Sequence, residues 1–281
     1  MSVITGISEY FLRTSRGGAG GARNIAEIVT GGRMIEDTGL IADPAVGTHL
    51  PQDLRLGLHT CYGTVDVEVQ NYSFLQLALR TAGALSAFDV EGGNALEGQL
   101  HHDCKVDSMA IDAVAGQKLR ASMAWKGLYS EVDEDGGTNS GIVSGNDCLM
   151  WYEGAHSGLP QNTEHGTIEL LRCNISISHN VDWVPVIDSG LTPVRRAKYL
   201  VEKAQNIRVN FVFLQQEDVN MAADTIAALG DVTLTFTGVD NTVKLTLTGL
   251  MPATHERPMQ PYELIEHTAA YVAKDWNVES S

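Results

Sequence analysis

The stretch CKVDSMAIDAVAGQKLRASMAWKGLYSEV, residues 104–132, constrains the fold of this chain more than any other segment. Leu119, Ala121, Met123 and Trp125 alternate with Lys118, Arg120, Ser122, Ala124 and Lys126, the period of two expected of a strand buried on one face. Upstream, Cys104 and Val106 lie in one phase and Met109, Ile111 and Ala113 in the other. Such a pattern changes phase only where a residue is added, so a β-bulge is predicted at Asp107 and Ser108. A turn near Gly116 joins the halves as a hairpin. No nucleophile sits beside a base here and no ligands cluster, so the best-patterned part of the chain is building material.

Other segments share this style. TVDVEV puts Val65, Val67 and Val69 on one face, and NYSFLQLALRTAG then changes to helical spacing through Phe74, Leu75, Leu77 and Ala78, with Gly83 as its stop. TIELLRCNISIS at 167–178 places Leu171, Cys173, Ile175 and Ile177 together, and NIRVNFVFL does so with Ile207, Val209, Phe211 and Phe213. EDVNMAADTIAALG reads as a helix capped by Asp218 and ended by Gly230. VTLTFTG and TVKLTLTG form a hairpin about Gly238–Asn241, and ELIEHTAAYVAKDW, whose spacing fits a strand or a short helix, is read as a strand from its position after that hairpin. About eight strands and two helices make a β-dominated α+β fold, an antiparallel β-sandwich with one or two short helices.

Three regions stand apart. Residues 1–55, with RGGAGGAR at 16–23, lack clear periodicity and read as an N-terminal arm and extended segment. The domain proper spans 56–276, leaving 277–281 as a C-terminal tail. Within it, 128–166 and 179–205 read as loops longer than the roughly 12 to 15 residues usual for structureless connections, and such loops usually serve a partner. Trp151, Trp183, Arg195 and Arg196 within them are residue types enriched at interfaces, and the acidic run including Asp133, Glu134 and Asp135 belongs to the same surface. These seven are the candidate subunit or ring contacts.

The chain of 281 residues carries 35 acidic and 19 basic side chains, a net charge of −16. That balance argues against a grip on nucleic acid, where lysine and arginine displace phosphate counterions. It suits a surface that must not stick to polyanions, or a salt-rich habitat. No apolar run reaches the roughly 18 to 20 residues of a membrane span, and MSVITGISEYFLRTSR lacks a charged start followed by an apolar core, so neither a signal peptide nor a membrane anchor is expected. Cys61, Cys104, Cys148 and Cys173 are widely spaced without a C-x-x-C and read as buried free thiols.

The chemical candidates fail on spacing. RGGAGGAR puts Arg23 where a dinucleotide loop needs its third glycine, and it lacks the lysine of a P-loop. His101, His102, Asp103 and Cys104 are all competent metal ligands, yet neighbours on an extended chain point to opposite sides. DEDGGTNSG at 133–141 has the acids of a calcium loop but Ser144 where the bidentate glutamate belongs. GIVSG misplaces Ser144 for a nucleophile elbow, and His165, His179 and His267 read as loop or strand residues. No catalytic residue, metal or cofactor is therefore expected.

The order of segments resembles the tail tube proteins (major tail proteins) of long-tailed phages and tailed archaeal viruses. GTVDVEVQNYSFLQLALRTAG at 63–83 is similar to the strand and helix opening that family's domain. HHDCKVDSMAIDAVAGQKLRASMAWKG at 101–127 is similar to its strand pair, with a Cys-Lys-Val-Asp-Ser start and an aromatic before Lys-Gly. IELLRCNISISHNVDWV at 168–184 resembles the strand entering an Asn-rich turn, and RRAKYLVEKAQNIRVNFVFLQQED at 195–218 the arginine-containing linker before a long strand. The likeness covers most of 55–276, through no single diagnostic position.

The resemblance implies a non-enzymatic virion protein, made in the host cytoplasm, whose sandwich forms hexameric rings stacked into a tube, with strands contributing to an inner β-barrel. Genomic DNA would pass through it during ejection without specific binding. Its partners would be its own copies and other tail proteins: tape measure, terminator and distal tail protein. A ring of six would carry 96 excess negative charges, and a lumen of that sign would repel DNA and let it slide. Another ring-forming tail component, such as a terminator or distal tail protein, is the alternative reading. A soluble β-sandwich hydrolase is a further one.

Overall fold

A computed structural model describes residues 10–14, 23–25, 28–44, 51–70, 72–93, 98–133, 148–159, 169–185, 197–215, 228–256 and 265–280. The chain opens with β1 (Tyr10–Thr14), β2 (Arg23–Ile25), β3 (Ile28–Asp37), β4 (Leu40–Pro44), β5 (Pro51–Leu56) and β6 (Thr60–Glu68). A one-turn helix α1 (Tyr72–Leu75) and a 3-10 turn lead into β7 (Arg80–Thr81), β8 (Ala84–Leu85) and β9 (Phe88–Gly93). Then come β10 (Gly98–Val114), β11 (Arg120–Gly127), β12 (Tyr129–Asp133), β13 (Met150–Ser157), β14 (Glu169–Ser178), β15 (Asp182–Pro185) and β16 (Ala197–Val201). The last are β17 (Asn206–Gln215), β18 (Val232–Thr237), β19 (Thr242–Thr248), β20 (Met251–Glu256), β21 (Ile265–Ala273) and β22 (Asp275–Ser280).

Eight of these strands lie side by side in the order β3-β6-β11-β10-β14-β17-β21-β20, every neighbouring pair antiparallel. A second sheet, β13-β18-β19-β22, is also antiparallel throughout. The two form a sandwich: Val65, Met123, Ile111, Ile175, Phe211 and Tyr271 of the large sheet share one buried cluster with Trp151, Phe236, Leu245 and Trp276 of the small one. Phe74, Leu75 and Ala78 of the helical turn join that cluster. The backbone of Leu149 bridges to the large sheet, donating to Val69 and accepting from Leu119, and Asn241 in the β18–β19 turn donates to the Gln70 carbonyl.

Strand β10 belongs to two layers. Residues 105–112 pair with β11 and 108–114 with β14, whereas 98–102 turn away to pair with β9 and β12, and β9 pairs in turn with β1. The bend falls where Asp103 adopts φ +50 and donates its N–H to Asp89. The β-dominated sandwich expected from the sequence is the fold observed. The predicted bulge is present as well: the β10–β11 register shifts between Val106 and Ser108.

Several local readings need correction. A second bulge between Leu170 and Arg172 sends Leu170, not Leu171, into the core. The helix expected through Ala78 is one turn of α followed by a 3-10 turn, and Gly83 sits with Ala82 at positive φ in the two-residue β7–β8 hairpin instead of stopping a helix. Within the segment read as an arm, β3 is an edge strand of the large sheet. Its glycines hide it from a periodicity argument: a bulge follows Val29, and a Cβ on Gly32 would lie 2.9 Å from the Thr64 carbonyl. The two long loops contain β12, β13, β15 and β16. Residues assigned to a C-terminal tail lie in β22, where Val278 is buried. Most of the helix expected at 217–230 lies outside the described residues.

Candidate assembly surface

One face of the large sheet covers the core and the other faces outward. Its centre is paved with short side chains: Ser122, Ala110 and Ser176 stand in one cross-strand row, Ala124, Ser108 and Ser178 in the next. Charges flank this strip with both signs. Arg120 stands between Glu68 and Asp112 in the register, Arg172 donates two bonds to Asp112 at 2.8 and 3.0 Å, and Lys118 reaches Glu68 at 2.6 Å. The net acidity of the chain is therefore not concentrated here.

One end of this face carries the β15–β16 hairpin, held by a network that begins at the predicted bulge. The bulge turns Asp107 toward residues 179–181, where its carboxylate accepts the Val181 N–H at 2.7 Å and its carbonyl accepts the His179 N–H at 2.8 Å. Lys126 donates to the Val181 carbonyl at 2.5 Å, lies 3.3 Å from Asp107, and stands 5.0 Å above the centre of the Trp183 ring. Trp183 donates to the Gly127 carbonyl at 2.9 Å and meets Tyr62 edge-on. At the other foot Glu202 accepts from Lys105 at 2.5 Å and from the Leu85 N–H at 3.0 Å. Burial pushes the Glu202 carboxyl up, but those donors and Arg80 outweigh it and hold it below its ordinary range. Lys203 pairs with Asp182 and closes the hairpin. Underneath lies a small apolar cluster of Leu85, Val181 and Leu200. The far side of β16 presents Tyr199 and Val201, 54% and 48% exposed.

The seven expected contact residues divide unevenly. Trp151 is 1% exposed and donates to the Ala155 carbonyl, so it belongs to the core and not to a contact surface. Trp183 is half-buried and anchors the hairpin within its own protomer. Asp133 ends β12, while Glu134, Asp135, Arg195 and Arg196 lie outside the described residues. Lys105, Asp107, Lys126 and Glu202 were not singled out as site residues, because the hydrogen bonds that hold the hairpin link positions 55 to 117 apart along the chain. The Asp107 bulge was the one local signal.

The HHDC ligands diverge. His101 is fully buried and accepts the Trp125 indole N–H on Nδ1 at 3.2 Å, with burial lowering its pKa to about 4. His102 stacks on Tyr129 and lies 3.6 Å from Asp89 and 3.4 Å from Glu131. Cys104 faces the core, its pKa raised by burial. Among the described residues no group of three or more His, Cys, Asp or Glu could hold a metal ion, and no helix is long and apolar enough to cross a membrane. A scan against known protein families finds no match, and a search of curated proteins finds none.

Proposed function

We propose that this chain is the structural subunit of a viral tail tube, forming hexameric rings that stack around a channel for genomic DNA. The observation that most supports this reading is the parity of the large sheet. Seven antiparallel steps separate β3 from β20, so these two strands, each unpaired on its outer side among the described residues, run in opposite directions. Copies standing side by side in one orientation meet at oppositely directed strands, and the antiparallel ladder continues around a ring. An edge left open in a soluble protein invites uncontrolled pairing, and ring closure removes it. Pro252 and the register shift after it shorten what β20 offers to the ten-residue β3.

The outward face then lines the channel, with a strip of serine and alanine between ion pairs. A wall of short, neutral side chains gives a polyanion little to hold. Sedimentation across protein concentration tests the reading with a variant at the open edge. Val29 on β3 is 38% exposed, and Val29→Lys places a charge where the next copy would pair. It should leave thermal unfolding unchanged and raise the concentration needed for assembly at least tenfold. A wild-type chain that stays monomeric throughout contradicts the proposal. Assembly that halts at one ring favours a terminator or distal tail component.

A further inference from the structure

Three adjacent strands place Cys61, Gly127 and Cys104 in a row on the core side of the large sheet. Gly127 pairs with Cys61 in the β6–β11 ladder, and the Lys105–Lys126 pair brings Cys104 up on its other side. With no side chain between them, both sulfurs lean over the glycine. A Cβ built on Gly127 would lie 2.7 Å from Cys61 Sγ and 3.0 Å from Cys104 Sγ, so the sulfurs are separated by at most the sum of those distances, about 5.7 Å. Both cysteines are fully buried.

These thiols cannot join as a disulfide. Two strand spacings of about 4.8 Å hold their Cα atoms roughly 9.6 Å apart, beyond the reach of about 7 Å that a disulfide allows. That upper limit leaves room for a cation that takes two thiolates in a line, where two metal–sulfur bonds of about 2.3 Å set the sulfurs about 4.6 Å apart. Zinc in a structural site asks for four ligands, and no group of three or more candidate ligands converges among the described residues. Charge then selects the ion. Two thiolates with a divalent cation make a neutral unit that can stay buried, whereas a monovalent cation leaves a buried negative charge.

We propose that Cys61 and Cys104 form a binding site for a soft, two-coordinate divalent cation, with mercuric ion as its probe. Each thiol S–H breaks, each sulfur keeps its electron pair and donates it to the metal, and both protons pass to solvent; no atom changes oxidation state. Metal binding takes the place of both thiol protons, so two are released for each ion bound. The HHDC motif contains one ligand of this pair, and the other lies 43 positions upstream of it on another strand.

The full chain is mixed with mercuric ion in excess glutathione, which strips metal from single thiols, and metal retained per chain is measured after desalting. One ion per chain, with two protons released, is expected. Cys61→Ala and Cys104→Ala should each lower retention at least tenfold, while Cys148→Ala and Cys173→Ala keep it. Thermal melts of each variant separate lost binding from lost fold, and proton release by the wild-type chain gives an independent readout. Retention unaffected by Cys61→Ala in a folded variant, no retention by the wild-type chain, or release of a single proton overturns the assignment.

Discussion

At the scale of single residues, the end of the sandwich near the β10 bend depends on missing side chains. Trp125 is 1% exposed because Gly63 opposite it has no Cβ: one built there would come within 2.3 Å of the indole Cζ2 and 2.5 Å of the Arg33 carbonyl. Gly63→Ala should therefore cost about 1 to 3 kcal/mol in urea unfolding, the range for overfilling a packed core. The same indole donates to His101 Nδ1, and burial keeps that imidazole neutral. Since the folded state lowers the His101 pKa from 6.5 to about 4, the unfolded chain binds the proton more readily. Its stabilisation is complete above about pH 6.5 and is lost as pH falls toward 4. The loss should approach about 3 kcal/mol. His101→Gln keeps an acceptor for Trp125 without titrating, so the stability difference between wild type and variant should change by that amount between pH 7 and pH 4. A constant difference would contradict the assignment.

At the scale of elements, the β15–β16 hairpin and β22 carry opposite expectations. The hairpin rests on a three-residue apolar cluster and polar clamps, so Asp107→Ala should loosen it locally. It leaves the Val181 N–H and the Lys126 ammonium short of a partner, an effect of about 1 to 3 kcal/mol, read as faster hydrogen exchange at 181–183 with little change in global melting. By contrast, ending the chain after Lys274 removes Trp276 and Val278 from the core and exposes the β19 edge. That truncation should destabilise the whole protomer by more than about 4 kcal/mol. A freely tolerated cut would contradict the placement of these two side chains in the core.

These elements also show what the sequence made legible. The bulge at Asp107 was readable because two long apolar phases meet there, and β17 because its alternation is unbroken, whereas β21, whose spacing fits a strand or a short helix, was read as a strand only from its place after a hairpin. Leu170 was misassigned because its bulge lies one residue into β14, with too little pattern upstream to reveal a shift. Edge strand β3 was missed because glycines replace the side chains that would alternate, and β22 because six residues with two apolar positions resemble any polar terminus. The hairpin clamps link positions far apart in sequence, where periodicity carries no information.

At the scale of the whole molecule, the large sheet presents one face turned away from the core and two oppositely running edges, and the proposed ring uses all three. The outward face mixes positive and negative charge, so the excess acidity lies elsewhere on the chain and would set repulsion between rings more than the lining of the channel. Salt should then promote stacking by screening that repulsion. Electron micrographs of a concentrated preparation at low and high salt test the central claim most directly. The account predicts sixfold rings with an open centre that stack into tubes as salt rises. Isolated single particles at every concentration and salt level would contradict it.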